Sequence, residues 1–364
     1  MKNTFGSHVS VTLFGESHGS SIGAVIDGLT PGLPVDEAFI AAMLTRRRPS
    51  GLISTARQEA DPFVIESGVF EGYTTGTPVC IRIPNGDTRS KDYAATRWLA
   101  RPSQADYTAN CKYHGYEDYR GGGHFSGRIT AALVAAGSLV IPALEAKGIH
   151  IATHIRRLGG IDDRPFGDVA ADMATLAEST FPVLDSAVAQ QMVDRILEAR
   201  KNGDSVGGVL ETAVTGLEAG LGEPWFDSVE SLLSHALFSV PAVKGVEFGA
   251  GFALADMPGS VANDPFRMGD NGVVTSTNNS GGINGGITNG MPVVFRCVLR
   301  PTPTIAQQQD TVDMQKLADA TLLAAGRHDP CIVHRAAVVV DAVTALTVCD
   351  ILVGRHGTDW LGEV

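Results

Sequence analysis

An α+β fold with antiparallel sheets is what this sequence predicts, on three observations. Short alternating or β-branched runs occur beside longer helical stretches. The two kinds of segment do not alternate one for one, which argues against a doubly wound parallel sheet. One stretch, 129–146, is apolar on every side, as a helix enclosed by other elements would be. No repeat, charge block or long Pro/Ser linker divides the chain, so residues 1–364 read as one domain.

Strands are expected at Val9–Phe14, Ile22–Asp27, Pro78–Ile83, Val209–Leu217, Pro292–Leu299 and Ala336–Val340. Pro34 and then Asp36 open a helix running to about Leu44. From Ile129 the chain carries no charge until Glu145, which imitates a membrane span. Its Ala and Gly content, with Ser138 and Pro142 interrupting it, favours a buried helix instead. Asp185 caps an amphipathic helix whose Val188, Met192, Ile196 and Leu197 share a face, and Gly203 stops it. Asp227 is expected to cap a helix through about Leu237, and Thr311–Gly326 and Ala342–Leu352 also read as helical.

Composition narrows the function. The 364 residues include 40 acidic and 28 basic side chains, for a net charge of −12. Such a chain is a poor nonspecific binder of nucleic acid or anionic membrane, though a local basic pocket for a small anion remains open. The five cysteines are far apart and form no CxxC pair, as expected of reduced thiols. The first residues hold no apolar signal core, so a cytoplasmic location is expected. Glycine is abundant, at 42 residues, and clusters at 121–123, 159–160, 207–208, 281–282 and 285–286, where backbone must turn sharply or approach a ligand.

Five segments carry chemistry-bearing residues. In Gly15-Glu16-Ser17-His18-Gly19, a histidine follows an apolar strand and is placed to face a pocket as acid or base, or to hydrogen-bond its own turn. Arg46-Arg47-Arg48-Pro49 ends the Asp36 helix, where cations complement the helix dipole and guanidiniums can clamp phosphate or carboxylate. Arg120-Gly121-Gly122-Gly123-His124-Phe125-Ser126-Gly127-Arg128 leads a glycine-rich loop into the apolar helix, a setting for anion binding with Ser126 as the alternative cap. It is neither a Walker loop nor a GxGxxG fingerprint. Residues 277–290 are polar and glycine-dense, followed by Arg300-Pro301-Thr302-Pro303-Thr304, and suit a polar planar cofactor or a mobile loop. Arg327-His328-Asp329-Pro330-Cys331 joins an anion clamp to a base. Spacings for a structural metal such as CxxC and HExxH are absent, and no metal is expected.

In order along the chain these segments resemble the chorismate synthase family. The resemblance also takes in Val25-Ile26-Asp27-Gly28, residues 67–78 (SGVFEGYTTGTP), residues 87–93 (DTRSKDY), Lys244-Gly245-Val246-Glu247-Phe248-Gly249 and residues 281–287 (GGINGGI). It implies a helical layer between two antiparallel sheets, a homotetramer, and a lyase. That lyase performs the 1,4-anti elimination of phosphate from 5-enolpyruvylshikimate-3-phosphate, with reduced FMN. His18 then matches the acid that protonates phosphate, and Asp329 the carboxylate that helps remove the ring proton. Arg46, Arg47, Arg120 and Arg128 fall where the small anionic substrate is bound. Ser126, Gly285, Arg300, Pro301, Thr302, Pro303, Thr304 and Arg327 fall at flavin-contacting positions. No nicotinamide fingerprint is visible, so NADPH as the source of flavin reduction is left open by the residues themselves.

The chain departs from the family pattern inside the site. The motif with a second catalytic histidine reads Arg101-Pro102-Ser103-Gln104-Ala105-Asp106, and Gln104 hydrogen-bonds but does not titrate. His124-Phe125-Ser126-Gly127-Arg128-Ile129 replaces an arginine-led run, Arg300 stands where lysine is usual, and His334 where proline is common. An arginine expected near Leu52-Ile53 is missing. These changes predict weaker binding of a multiply anionic ligand, and admit a divergent paralogue that acts on another anionic ring or serves as a flavin- or ligand-binding protein.

Overall fold

A computed structural model describes residues 2–49, 51–55, 60–86, 96–270, 272–324 and 329–362. Two five-stranded sheets dominate it. The first orders its strands Thr4–Phe5, Ser10–Gly15, Ser21–Asp27, Val79–Pro84 and Val64–Ser67, each antiparallel to its neighbour. The second orders Val243–Phe248, Val293–Leu299, Gly208–Thr215, His150–Leu158 and Ile161–Asp162, again antiparallel throughout. The fold is therefore α+β. Alternation decides which face of a strand is covered: Val79, Ile81 and Ile83 are buried while Cys80, Arg82 and Pro84 are only partly so.

Among the described residues, the helices of eight residues or more are α1 (Glu37–Arg47), α2 (Asp106–Tyr113), α3 (Thr130–Ala146), α4 (Val169–Ala177), α5 (Ser186–Lys201), α6 (Val229–Ser239) and α7 (Val333–His356). α3 packs on the strands Ser21–Asp27 and Val79–Pro84, α7 packs on His150–Leu158 and Gly208–Thr215, and α3 and α7 pack on each other. Their crossing is close. A Cβ on Gly137 of α3 would stand 2.6 Å from the Cα of Ala342 on α7, so the contact needs a residue without a side chain. One apolar core runs from Val9 to Leu361. Segments 127–146 and 333–356 are long and apolar enough to cross a membrane, and both are mostly buried within the fold.

Five of the six expected strands, the Asp36 and Asp185 caps and the buried helix from about 129 appear within a few residues of expectation. Three expectations fail. Ala336–Val340 is not a strand but lies inside α7, because burial on all sides removes the period that separates helix from strand in a short valine-rich run. Thr311–Gly326 is not a helix over its described part but a hairpin of Gln309–Asp313 with Ala318–Leu322. There Asp313 Oδ1 accepts the backbone N–H of Gln315 and Lys316, each at 3.0 Å, and Leu317 takes φ +53°, so a turn replaces the helix. Asp227 ends a short 3-10 turn, and Ser228 caps α6 by accepting the Ser231 N–H at 3.1 Å.

Candidate active site

A cavity of about 1110 Å³ opens where the end of α1, the glycine loop before α3, the segment after strand Val293–Leu299 and the start of α7 converge. Arg47, Gln104, Ser126, Arg128, Arg300, Thr302, Pro303, Thr304 and Asp329 line it. Arg46, Arg120, Pro301 and Gly285 are not on its wall. Arg120 is committed to its own turn through a two-bond pair with Asp118 (2.8 and 2.7 Å), which holds Asp118 below the usual carboxylate range. Gly285 and Gly286 form the turn between Ile283–Asn284 and Ile287–Thr288, with φ of +64° and +89°, so hairpin geometry accounts for these glycines. Arg327, His328 and the 87–93 motif lie outside the described residues.

The glycine loop places His18. Gly121 has φ +60°, and a Cβ there would come within 2.2 Å of His18 Cε1. The buried imidazole thus packs directly behind a cavity-lining glycine, with its Nδ1 3.2 Å from Ser17 Oγ. His124 is fixed differently, by a 2.7 Å bond from Nδ1–H to the Gly15 carbonyl. Phe125 stands edge-on to Tyr113, with ring centroids 6.0 Å apart. His334 adds no cation: burial, and then Arg335 beside it, push its pKa down to about 3, and its Nε2 lies 2.9 Å from Ser54 Oγ.

Arg47 and Arg128 meet at Asp61. Arg47 donates from Nε to Thr130 Oγ1 (2.8 Å) and from Nη2 to the Gly127 carbonyl (2.7 Å), and its Nη1 faces Asp61 Oδ2 at 3.6 Å. Arg128 pairs through Nη1 with Asp61 Oδ1 and donates from Nε to Asn85 Oδ1 at 3.1 Å. All three side chains are buried. On the adjoining wall Asp329 accepts the Thr55 N–H at Oδ1 (2.8 Å) and pairs through Oδ2 with Arg335 Nη1 (2.6 Å). Across the cavity Gln104 Nε2 donates to Thr304 Oγ1 at 3.0 Å, and Arg300 Nη2 to the Ser103 carbonyl at 2.8 Å. Burial pulls the Arg300 pKa below its ordinary value. Thr302 Oγ1 is buried without a hydrogen-bond partner.

Asp61, Thr55, Arg335 and Ala242 also belong to this site, and sequence reasoning missed them. Ala242 lines the cavity at φ +79°, and its carbonyl accepts the Arg300 N–H at 3.0 Å. Nothing in an isolated alanine or arginine announces such a position.

Comparison with known proteins decides what the site belongs to. The family model described as chorismate synthase matches residues 9–353. The chain belongs to the chorismate synthase family. The chorismate synthase of Thermococcus gammatolerans is 46% identical over 360 residues, covering 99% of each chain. That of Opitutus terrae is 47% identical over 363 residues, covering 96% of each. A solved structure, "Crystal Structure of Chorismate Synthase", superposes with a TM-score of 0.77 at 28% identity, covering 97% of this chain and 94% of that one. Membership of the chorismate synthase family makes the chain an enzyme, a lyase of the shikimate pathway to the aromatic amino acids that produces chorismate.

Proposed function

We propose that this chain converts 5-enolpyruvylshikimate-3-phosphate to chorismate and phosphate inside the 1110 Å³ cavity, with reduced FMN bound beside the substrate. The observation that carries the reading is convergence: Arg47 and Arg128, the Asp329 carboxylate and the 302–304 segment, up to 282 positions apart in the chain (329 − 47), line one cavity. The residues fit a flavin. The partnerless Thr302 hydroxyl needs a polar neighbour, and Ser126, Gln104, Arg300, Pro303 and Thr304 add further hydrogen-bonding and flat surfaces around it. Bound there, the reduced flavin supplies a transient electron reservoir for an elimination with no net redox change.

The remaining chemistry is the chain's own. Arg47 and Arg128 hold the phosphate and carboxylate groups, and guanidinium forks suit both. His18, behind Gly121, protonates the phosphate as its C–O bond breaks. Asp329 accepts the ring proton as the new double bond forms. Gln104 orients through hydrogen bonds without exchanging a proton.

Several finer features belong to the same reading. The packing of α3 on one sheet and α7 on the other supports a helical layer between two sheets, and the unbroken core supports a single domain over 1–364. Exposed Trp225, Phe226 and Phe252 support assembly into a homotetramer. NADPH as the reductant of the flavin and a cytoplasmic location complete it.

The test is an anaerobic assay with pre-reduced FMN, following chorismate by absorbance and phosphate release together. Equal amounts of both products are expected. A protein that binds both ligands and makes neither product overturns the reading. His18→Ala should lower kcat by roughly 10²–10⁴-fold, the usual contribution of a positioned acid.

A further inference from the structure

We infer that Arg335 is a positioning residue for the reaction: it sets the Asp329 carboxylate into the cavity and couples it to the anion-binding Arg47. The inference rests on the proposed role of Asp329 as proton acceptor.

Arg335 sits in the first turn of the 24-residue helix α7, which begins at Val333 and has no side-chain cap. A cation at that end opposes the helix dipole. Local rules broken with a specific partner in place mark functional positions. The partner here is specific. Nη1 reaches Asp329 Oδ2 at 2.6 Å, while Nε of the same planar group reaches the backbone carbonyl of Arg47 at 2.9 Å. The Thr55 N–H takes the other Asp329 oxygen at 2.8 Å. Donors from two separate segments thus fix both carboxylate oxygens. One of those donors is also bonded to the residue whose own guanidinium lies against Asp61 and the start of α3. Arg335 and Asp329 are each about 15% exposed and line the same cavity wall, so the pair is neither a surface ion pair nor sealed in the core.

The geometry makes a claim that charge alone does not. A lysine at 335 keeps the positive charge but cannot reproduce a planar fork bridging two acceptors. Arg335→Gln should lower kcat by roughly 10–100-fold, the cost of a misplaced reacting group, while leaving KM within about threefold. Arg335→Lys keeps the charge but not the fork, so its kcat should stay below that of the unaltered protein, again with KM within about threefold. FMN affinity, read by quenching of flavin fluorescence on binding, should be unchanged in both variants.

Asp329→Asn separates this inference from the reading beneath it. An inactive Asp329→Asn beside an Arg335→Gln with unaltered kcat overturns the inference alone. Asp329→Asn at the original rate overturns the role of Asp329 and the inference with it. A loss confined to KM assigns Arg335 to substrate binding and likewise overturns it. If Arg335→Gln does not fold, Arg335→Lys decides: reduced kcat with KM held supports the inference, and unchanged kcat overturns it.

Discussion

Two buried charge clusters, one at the cavity and one in the second sheet, are built to different ends. At the cavity, Arg47 and Arg128 share Asp61, whose Oδ2 has an ion-pair neighbour at 3.6 Å but no hydrogen bond. In the second sheet His154 is fully buried between two carboxylates, with Nδ1 3.3 Å from Asp163 Oδ2 and Nε2 3.0 Å from Glu211 Oε2. Backbone N–H groups complete that cluster: Arg164 and Asp185 on Asp163 Oδ1, Leu184 on its Oδ2, and Phe166 on Glu211 Oε2. One cluster is incompletely hydrogen-bonded and opens onto a cavity, and the other is closed by its own backbone. The difference teaches that burial of charge does not by itself mark an active site. What marks one is a charge whose bonding is left unfinished toward an open space.

The sharpest way to break this distinction is to remove the central side chain of each cluster in turn. Asp61→Ala leaves two buried guanidiniums without their shared carboxylate, which should destabilise the protein by about 3–5 kcal/mol. It should also release Arg47 and Arg128 from the cavity wall and raise KM at least tenfold. His154→Ala should cost a comparable about 3–5 kcal/mol by leaving Asp163 and Glu211 facing each other. Its kcat and KM should nevertheless stay within about twofold at a temperature where the protein is folded, because a site far from the chemistry adds nothing to the transition state. Denaturant titration and steady-state kinetics on both variants check the pair. A kinetic defect in His154→Ala would join the two clusters functionally.

The same contrast explains what could be read before the structure. Local signals survive translation: Asp36 and Asp185 cap their helices because an N-terminal carboxylate accepts nearby N–H groups whatever lies further away. Alternation located the strand at 79–84, and the absence of charge located α3. Over Ala336–Val340 the local pattern misleads, because the valines of α7 face packed neighbours on every side and β propensity yields to burial. At the site, arginine-rich and glycine-rich segments were visible, but their partners were not. Asp329 meets a backbone N–H 274 positions away, and Arg335 meets the Arg47 carbonyl 288 positions away. Such pairings exist only once the chain has folded. The density of glycine around 285 pointed to a cradle, yet left-handed turn geometry is enough to require it there.

The smallest effect is also the most selective probe of the closed cluster. Burial opposes charge on His154, but the hydrogen bonds to Asp163 and Glu211 outweigh it, and its pKa is raised. Both ring nitrogens face carboxylate oxygens, as a protonated imidazole requires. A group with a raised folded-state pKa contributes fully below its unfolded value, about 6.5 for histidine. That contribution is then lost as pH rises through the folded value. Global stability should therefore decline above about pH 6.5 with a slope of at most about 1.4 kcal/mol per pH unit from this one group. His154→Ala should erase that decline while leaving the rest of the pH dependence in place. Unfolding free energies measured between pH 6 and 9 on the two proteins give the difference directly. A difference that stays constant across the range would mean that His154 is neutral in its cluster, and that the closed site is held by hydrogen bonds alone.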